Sequence, residues 1–289
     1  MTNRIVKALE DGAGKLAKTL GKDAGKAVQD LYHDTGKRLK RVADNHLETD
    51  AKHAAEMERI AKRPRTETPV YHLDDRGNIS RLRHNPNAKT PEERYKKEKL
   101  TSEDKERLGL QSSSIGGPRK GEQAARLKNK QEGRTDPRPK SSSTPVAQGS
   151  SDLAQATQLA RHADNSYGTH RGGEFSSNNY AAARITGANG KGDFILVGRS
   201  HRGTSEYPGA HSERMIGTPF LRQGEGGRIQ DLYTERAPCG PAANCSAWMA
   251  ERLSHVNVSH TFEYGNTTAS RAAGNAAMQQ YLDGLKASR

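Results

Sequence analysis

Four residues of this 289-residue chain are of types that do chemistry together: His211, Glu213, Cys239 and Cys245. The two cysteines are the only ones in the chain, six positions apart in "PCGPAANC". One imidazole and two thiolates supply three protein ligands for a zinc ion and leave a fourth position open, as a catalytic site requires. Glu213, two residues after His211, is too close to be an obvious fourth ligand, yet it can reach water at the open position. Zinc lowers the pKa of that water, the carboxylate takes its proton, and the hydroxide attacks an electrophilic carbon. Each residue also has a plainer reading. The cysteines could close a short disulfide loop, His211 could be one surface residue among 11 histidines, and Glu213 could be a first-turn acid favoured by the helix dipole. The ordered combination favours zinc. His162, His170, His255 and His260 have no partner at ligand spacing and are expected to be structural.

The elements that must position these residues begin at Asp152. "SDLAQATQLARHA" predicts an amphipathic helix with Leu153, Ala156, Leu159, Ala160 and Ala163 on one face. Two strands follow, about Tyr180–Thr186 and Asp193–Arg199, with a turn at Asn189-Gly190. A helix is expected from Ala210 to Leu221, broken near Pro219, then a strand from Gly227 to Glu235. A second helix over "NCSAWMAERLSHV", a strand over "VSHTFEYG" and a final helix over "SRAAGNAAMQQYLDGLKA" complete the order. Helix, hairpin, helix, strand, helix, strand, helix predicts a three-layer α/β sandwich with a mixed sheet of four or five strands. In such a sheet, helix N-termini at the carboxyl ends of neighbouring strands converge on one crevice. That brings His211 to the two cysteines across 28 residues. Helix N-termini also lower thiol pKa towards the thiolate. A continuous helix would separate Cys239 and Cys245 by about 9 Å along its axis, too far for one ion. The segment "GPAAN" is therefore expected to be a loop, with Asn244 capping the helix and Cys245 in its first turn.

His-x-Glu followed by Pro-Cys and a second Cys resembles the signature of zinc-dependent nucleic-acid and nucleotide deaminases. "NNYAAARI", "ILVGRS", "HSERMIG", "LYTERAPCG" and "FEYG" look like the deaminase domains at the C-termini of bacterial polymorphic toxins, in particular the Xanthomonas-type branch. The similarity covers about residues 152–285. It implies a cytidine-deaminase-like fold, Zn2+ held by His211, Cys239 and Cys245, and Glu213 as general acid and base. It also implies a target contact from Asn178 or Asn179, with Ser212, His201 and Trp248 as further pocket residues. The interval between the cysteines departs from the family's usual Cys-x-x-Cys. The expected reaction is hydrolytic removal of the amino group of a base, cytosine to uracil, with single-stranded DNA ahead of RNA.

The remainder of the chain differs in composition. Residues 1–150 hold 33 Lys and Arg against 22 Asp and Glu, whereas residues 151–289 hold 14 against 12, so most of the formal charge of +13 lies in the first half. The second half carries the only Trp and all four Phe, which places the expected core there. Residues 1–110 predict a charged helical delivery segment, helical over Arg4–Arg65 and again over Lys89–Leu110, with a hairpin near 70–82 around Asp75-Arg76-Gly77-Asn78. Residues 111–151, rich in Ser, Gly, Pro and Lys, read as a flexible linker, and residues 152–289 as the catalytic domain. No apolar run is long enough to span a membrane, and the N-terminus lacks the apolar stretch of a signal peptide. The expectation is secretion without a cleaved signal, or as part of a larger toxin, with action in the target-cell cytoplasm. A toxin of this kind implies a cognate immunity protein, and the N-terminal half would engage secretion machinery or an upstream toxin region. Two other classes stand beside this reading: a metal-independent ribonuclease-type toxin using His and Glu, and a secreted adaptor held by a Cys239–Cys245 disulfide.

Overall fold

The computed structural model describes residues 68–122 and 138–289 apart from positions 206, 241, 242 and 266. The helix expected over Arg4–Arg65 lies outside the described residues. The architecture is mixed α/β, built on one large mixed sheet. Its central strands are β7 (Tyr180–Ile185), β8 (Phe194–Arg199), β9 (Ile229–Arg236) and β10 (Asn257–Phe262). Strand β7 is antiparallel to both β8 and β9, and β10 runs parallel to β9.

The pleat sorts the core into two layers. Ala181, Ala183, Ile185, Phe194 and Leu196 face one side, where α4 (Ser212–Arg222) and α5 (Cys245–Arg252) pack. Tyr180, Ala182, Ile195 and Val197 face the other, against α3 (Asp152–Asp164). This is the period of two expected of a strand covered on both faces. Three consecutive alanines in β7, all fully buried, let helices approach from both sides, and a larger side chain there would overpack one layer. Burying Phe194 or Leu196 contributes roughly 1.5–3 kcal/mol each. Helix α3 starts at the Ser151 cap, which accepts from the Ala154 N–H at 3.1 Å, and ends at Asn165 in the left-handed region. The long α6 (Thr268–Ala287) packs Met278, Tyr281 and Leu282 against Phe262 and Tyr167.

The sheet is larger than the four or five strands expected. Among the described residues it has eight, in the order β3 (Tyr95–Glu98), β2 (Ile79–His84), β1 (Val70–Leu73), β8, β7, β9, β10 and β4 (Thr144–Pro145). The expected hairpin near 70–82 forms β1 (Val70–Leu73) and β2 (Ile79–His84), but β1 lies parallel to β8, with Val70 opposite Ile195. The helix expected over Lys89–Leu110 is instead two short helices, α1 (Pro91–Arg94) and α2 (Ser102–Leu108), with β3 (Tyr95–Glu98) between them. Strand β3 takes the free edge of β2, which outweighs the helical propensity of a charged segment. A reciprocal capping box between Thr101 and Asp104 starts α2 afresh. Asp104 also accepts from the Tyr71 hydroxyl at 2.7 Å and from Arg81 at 2.9 Å, tying α2 to the first two strands. Tyr71, Leu73, Leu108 and Ile115 join the core cluster beneath α4, so the core is not confined to the second half. Within the expected linker, β4 (Thr144–Pro145) adds to the edge of β10. Positions 123–137 lie outside the described residues.

Two local expectations also change. The Asn189-Gly190 turn forms, both residues at positive φ, but within a longer connection than a tight hairpin, since Ile185 pairs with Phe194. Helix α4 runs through Pro219 to Arg222 without a break. Proline removes one hydrogen bond there, while Phe220 beyond it is buried at 1% exposure and holds the last turn against the sheet. No helix among the described residues is long and apolar enough to cross a membrane.

Candidate metal and catalytic centre

Three segments converge at the carboxyl ends of β8 and β9. His211 is the N-cap residue of α4, with extended backbone and no capping bond from its side chain. That leaves the imidazole free to turn toward Cys239, and the Nδ1 to Sγ separation is 3.5 Å. Cys239 follows β9 by three residues. Cys245 opens α5, whose cap Asn244 adopts a left-handed conformation (φ 51°) and accepts from the Ala247 N–H at 3.4 Å. The turn is closed by the Asn244 N–H donating to the Gly240 carbonyl at 2.8 Å, and by the Cys245 N–H donating to the Cys239 sulfur at 3.5 Å. The helix therefore begins at Cys245 and not at Cys239, as the spacing argument required. The ligand atoms of His211, Cys239 and Cys245 all lie within 4.8 Å of one another, and both thiols are unbridged.

The electrostatics suit a soft cation. The hydrogen bond from Cys245 to Cys239, helped against burial by His211, holds the Cys239 thiol well below its ordinary pKa. The Cys245 thiol, which gives that bond and is wholly buried, is pushed well above. Burial works against a charged His211, but the neighbouring Cys239 outweighs it and raises the imidazole pKa. Two thiols and an imidazole at this range form a donor set for a tetrahedral ion such as zinc, with one position left over.

Glu213 is 2% exposed in the first turn of α4, and burial pushes its pKa up. A chain of hydrogen bonds holds it. The Asn179 amide donates to Thr234 Oγ1 at 2.7 Å and to Ser212 Oγ at 2.9 Å, and the Ser212 hydroxyl donates to Glu213 Oε2 at 3.2 Å. Asn179 Oδ1 in turn accepts from the Arg236 N–H at 3.0 Å. Asn179 thus locks the end of β9 to the start of α4.

His211, Glu213, Cys239 and Asn179 line a cavity of about 230 Å³. Of the other residues expected there, Asn178 lends its backbone carbonyl to Arg161 at 2.8 Å, and Ser212 is wholly buried behind Glu213. His201 meets the Met215 sulfur and the Tyr207 ring. Trp248 lies in the core under α4, where a Cβ on Gly217 would come within 2.7 Å of its ring. None of these four lines the cavity. Sequence reading missed Phe175, Ser177, Arg236, Tyr264 and Asn275, which do. Phe175 stands on β6 (Glu174–Ser176), paired with β5 (Thr169–Arg171) in a small separate ribbon. Arg236 and Tyr264 fall inside "LYTERAPCG" and "FEYG", so the signal was present but pointed to no role. His162 and His260 are structural as expected, bonded to Tyr167 and to Ser143.

No curated protein and no solved structure matches the chain. A sequence model of one family does, over residues 176–281, a span that contains the whole His-x-Glu, Cys and Cys set. That match, the α/β sheet and the clustered donors make residues 176–281 a deaminase-like domain, similar to the Xanthomonas-like deaminases.

Proposed function

We propose that the chain is a zinc-dependent deaminase toxin that hydrolyses the amino group from a nucleic-acid base, converting cytosine to uracil in DNA, with single strands preferred. The observation that supports it most is the meeting of His211, Cys239 and Cys245 within 4.8 Å beside a buried Glu213 on one cavity. When bound, zinc supplies a Lewis acid that makes water a nucleophile at neutral pH. The chain's own residues do the rest. Glu213 takes a proton from the attacking water and delivers it to the departing nitrogen. Water enters, ammonia leaves, and a carbonyl replaces the amino group. Ser212 and Asn179 fix the Glu213 carboxylate in one rotamer, so its proton moves along one line. Phe175 and Tyr264 offer aromatic faces to a base taken out of a stack. Of the residues considered for target contact, Asn179 is the one we assign, because it reaches the cavity lining.

A toxin role follows from the family likeness and carries three further proposals: delivery by secretion machinery through the N-terminal half, action in the target-cell cytoplasm, and a cognate immunity protein. The test uses the full chain, since cutting at position 150 would remove β1–β3 and strip β8 of a neighbour. Expression with and without Glu213→Ala, followed by sequencing of host genome and transcripts, should give C-to-T changes that vanish in the variant. Toxicity that survives Glu213→Ala would sink the proposal. Metal analysis separates it from a metal-independent nuclease, with one zinc per chain expected.

A further inference from the structure

Adjacent residues of β9, Glu235 and Arg236, point to opposite faces of the sheet. Glu235 turns toward α3 and forms a bidentate pair with Arg161, both 0% exposed. Arg236 turns toward the cavity. It is 8% exposed, and its donors meet only neutral acceptors. Nη2 donates to Ser177 Oγ at 2.9 Å and to Asn275 Oδ1 at 3.2 Å, and Nη1 to the Ser177 carbonyl at 3.4 Å. Nε is buried with no acceptor. The guanidinium lies 5.4 Å from the Tyr264 ring centroid. Among the described residues, no carboxylate forms an ion pair with it.

A buried cation in that state is costly, because its desolvation is not matched by an opposite charge. Burial lowers its pKa below the ordinary arginine value, and the Glu235 charge on the other face offsets only part of this. A neutral side chain would fill the same wall at less cost, so the cation asks for an anion that arrives from outside. Guanidinium with hydroxyl and amide neighbours is the chemistry of phosphate recognition. The lining also includes Ser176 and Ser200, and among the described residues its only carboxylate is Glu213.

We infer that Arg236, with Ser177 and Asn275, seats a phosphate attached to the sugar of the target, so that the cavity takes a nucleotide, free or within a strand, ahead of a nucleoside. The identity of the base rests on the deaminase reading above; the phosphate seat does not.

The test measures binding by the zinc-loaded full chain of cytidine, its 5′- and 3′-monophosphates, a short single-stranded oligonucleotide containing cytosine, and inorganic phosphate. Wild type, Arg236→Gln and Arg236→Lys are compared. Wild type should bind a monophosphate or the oligonucleotide roughly 10- to 100-fold more tightly than cytidine, the range of one charge-assisted contact. Arg236→Gln should erase that difference and Arg236→Lys keep part of it. Thermal stability of Arg236→Gln should hold or rise, because the unmatched charge is gone; a purely structural arginine would give a fall. Equal affinity for monophosphate and oligonucleotide identifies free nucleotides as ligands, and preference for the oligonucleotide identifies a strand; both support the seat. Cytidine binding as tightly as every phosphorylated form, or an undiminished difference in Arg236→Gln, overturns it. Ammonia release separates the two readings. Equal release from cytidine and its phosphates leaves the deaminase standing without the seat. Phosphate discrimination that needs Arg236, with no ammonia from any probe, leaves the seat without the deaminase.

Discussion

The two faces of the sheet treat buried charge in opposite ways. On the α3 side every buried charge is closed upon another group. Arg161 and Glu235 meet at 2.5 and 2.6 Å, and the remaining guanidinium donors reach the carbonyls of Ser166 and Asn178. Asp164 accepts from His72, Lys97 and Tyr180, and these bonds hold its pKa well below the usual carboxylate range against its burial. On the α4 side Glu213 and Arg236 are buried and the Cys239–His211 pair half-buried around a cavity, and neither Glu213 nor Arg236 has an ion-pair partner among the described residues. The first face uses charge to tie distant segments together: His72 and Lys97 come from β1 and β3, and Asp164 from the end of α3. The second carries unmatched charge, which raises the energy of the folded state and is retained where ligands and substrate complete the set.

The comparison can be broken by substitution. The largest effect is expected from Glu213→Gln, which should lower ammonia release by roughly 10²- to 10⁴-fold while leaving the melting temperature unchanged or higher. A large loss of stability would show that Glu213 is tied into the fold as firmly as Glu235. Glu235→Ala should instead destabilise by about 3–5 kcal/mol, because Arg161 is left buried and unmatched. Denaturant titration measures this, and replacing both partners with apolar residues of similar volume should recover most of it.

Acid tests the same face more gently. Burial, with Arg289 and His84 nearby, depresses the His162 pKa from 6.5 to about 4. A depressed folded value means full stability above the unfolded pKa, with loss on the way down. Stability should therefore fall between about pH 6.5 and pH 4, by on the order of 3 kcal/mol. His162→Gln should flatten that portion of the melting-temperature profile. The smallest effect belongs to the exposed Arg83–Glu98 pair: Arg83→Ala should cost under about 1 kcal/mol in the same titration.

How much of this was legible beforehand varied with the range of the interaction. The α3 helix, β7 and β8, and the start of α5 at Cys245 follow from caps, alternation and a spacing argument, all carried by neighbours in the chain. Strand β3 escaped notice because an edge strand faces water and carries charge; "YKKE" shows little apolar alternation. At the site, His211, Glu213, Cys239 and Cys245 declared themselves by type. Arg236 did not, because an arginine beside a glutamate in a strand looks like a local ion pair until the pleat separates them. Trp248 and His201, offered as pocket residues by the family resemblance, are turned by packing into the core and onto Met215.

The sequence by itself determined the donor set, the acid beside it, and the elements that present them, because residue chemistry and short-range periodicity need no knowledge of the fold. Tertiary structure alone decided that Val70 would lie against Ile195, that Arg161 would claim Glu235, and that Arg236 would be left facing a cavity closed by Phe175, Tyr264 and Asn275. Those outcomes depend on contacts between segments far apart in the chain. Such contacts form only when the burial they gain exceeds the loop entropy they consume, and no local pattern records that balance.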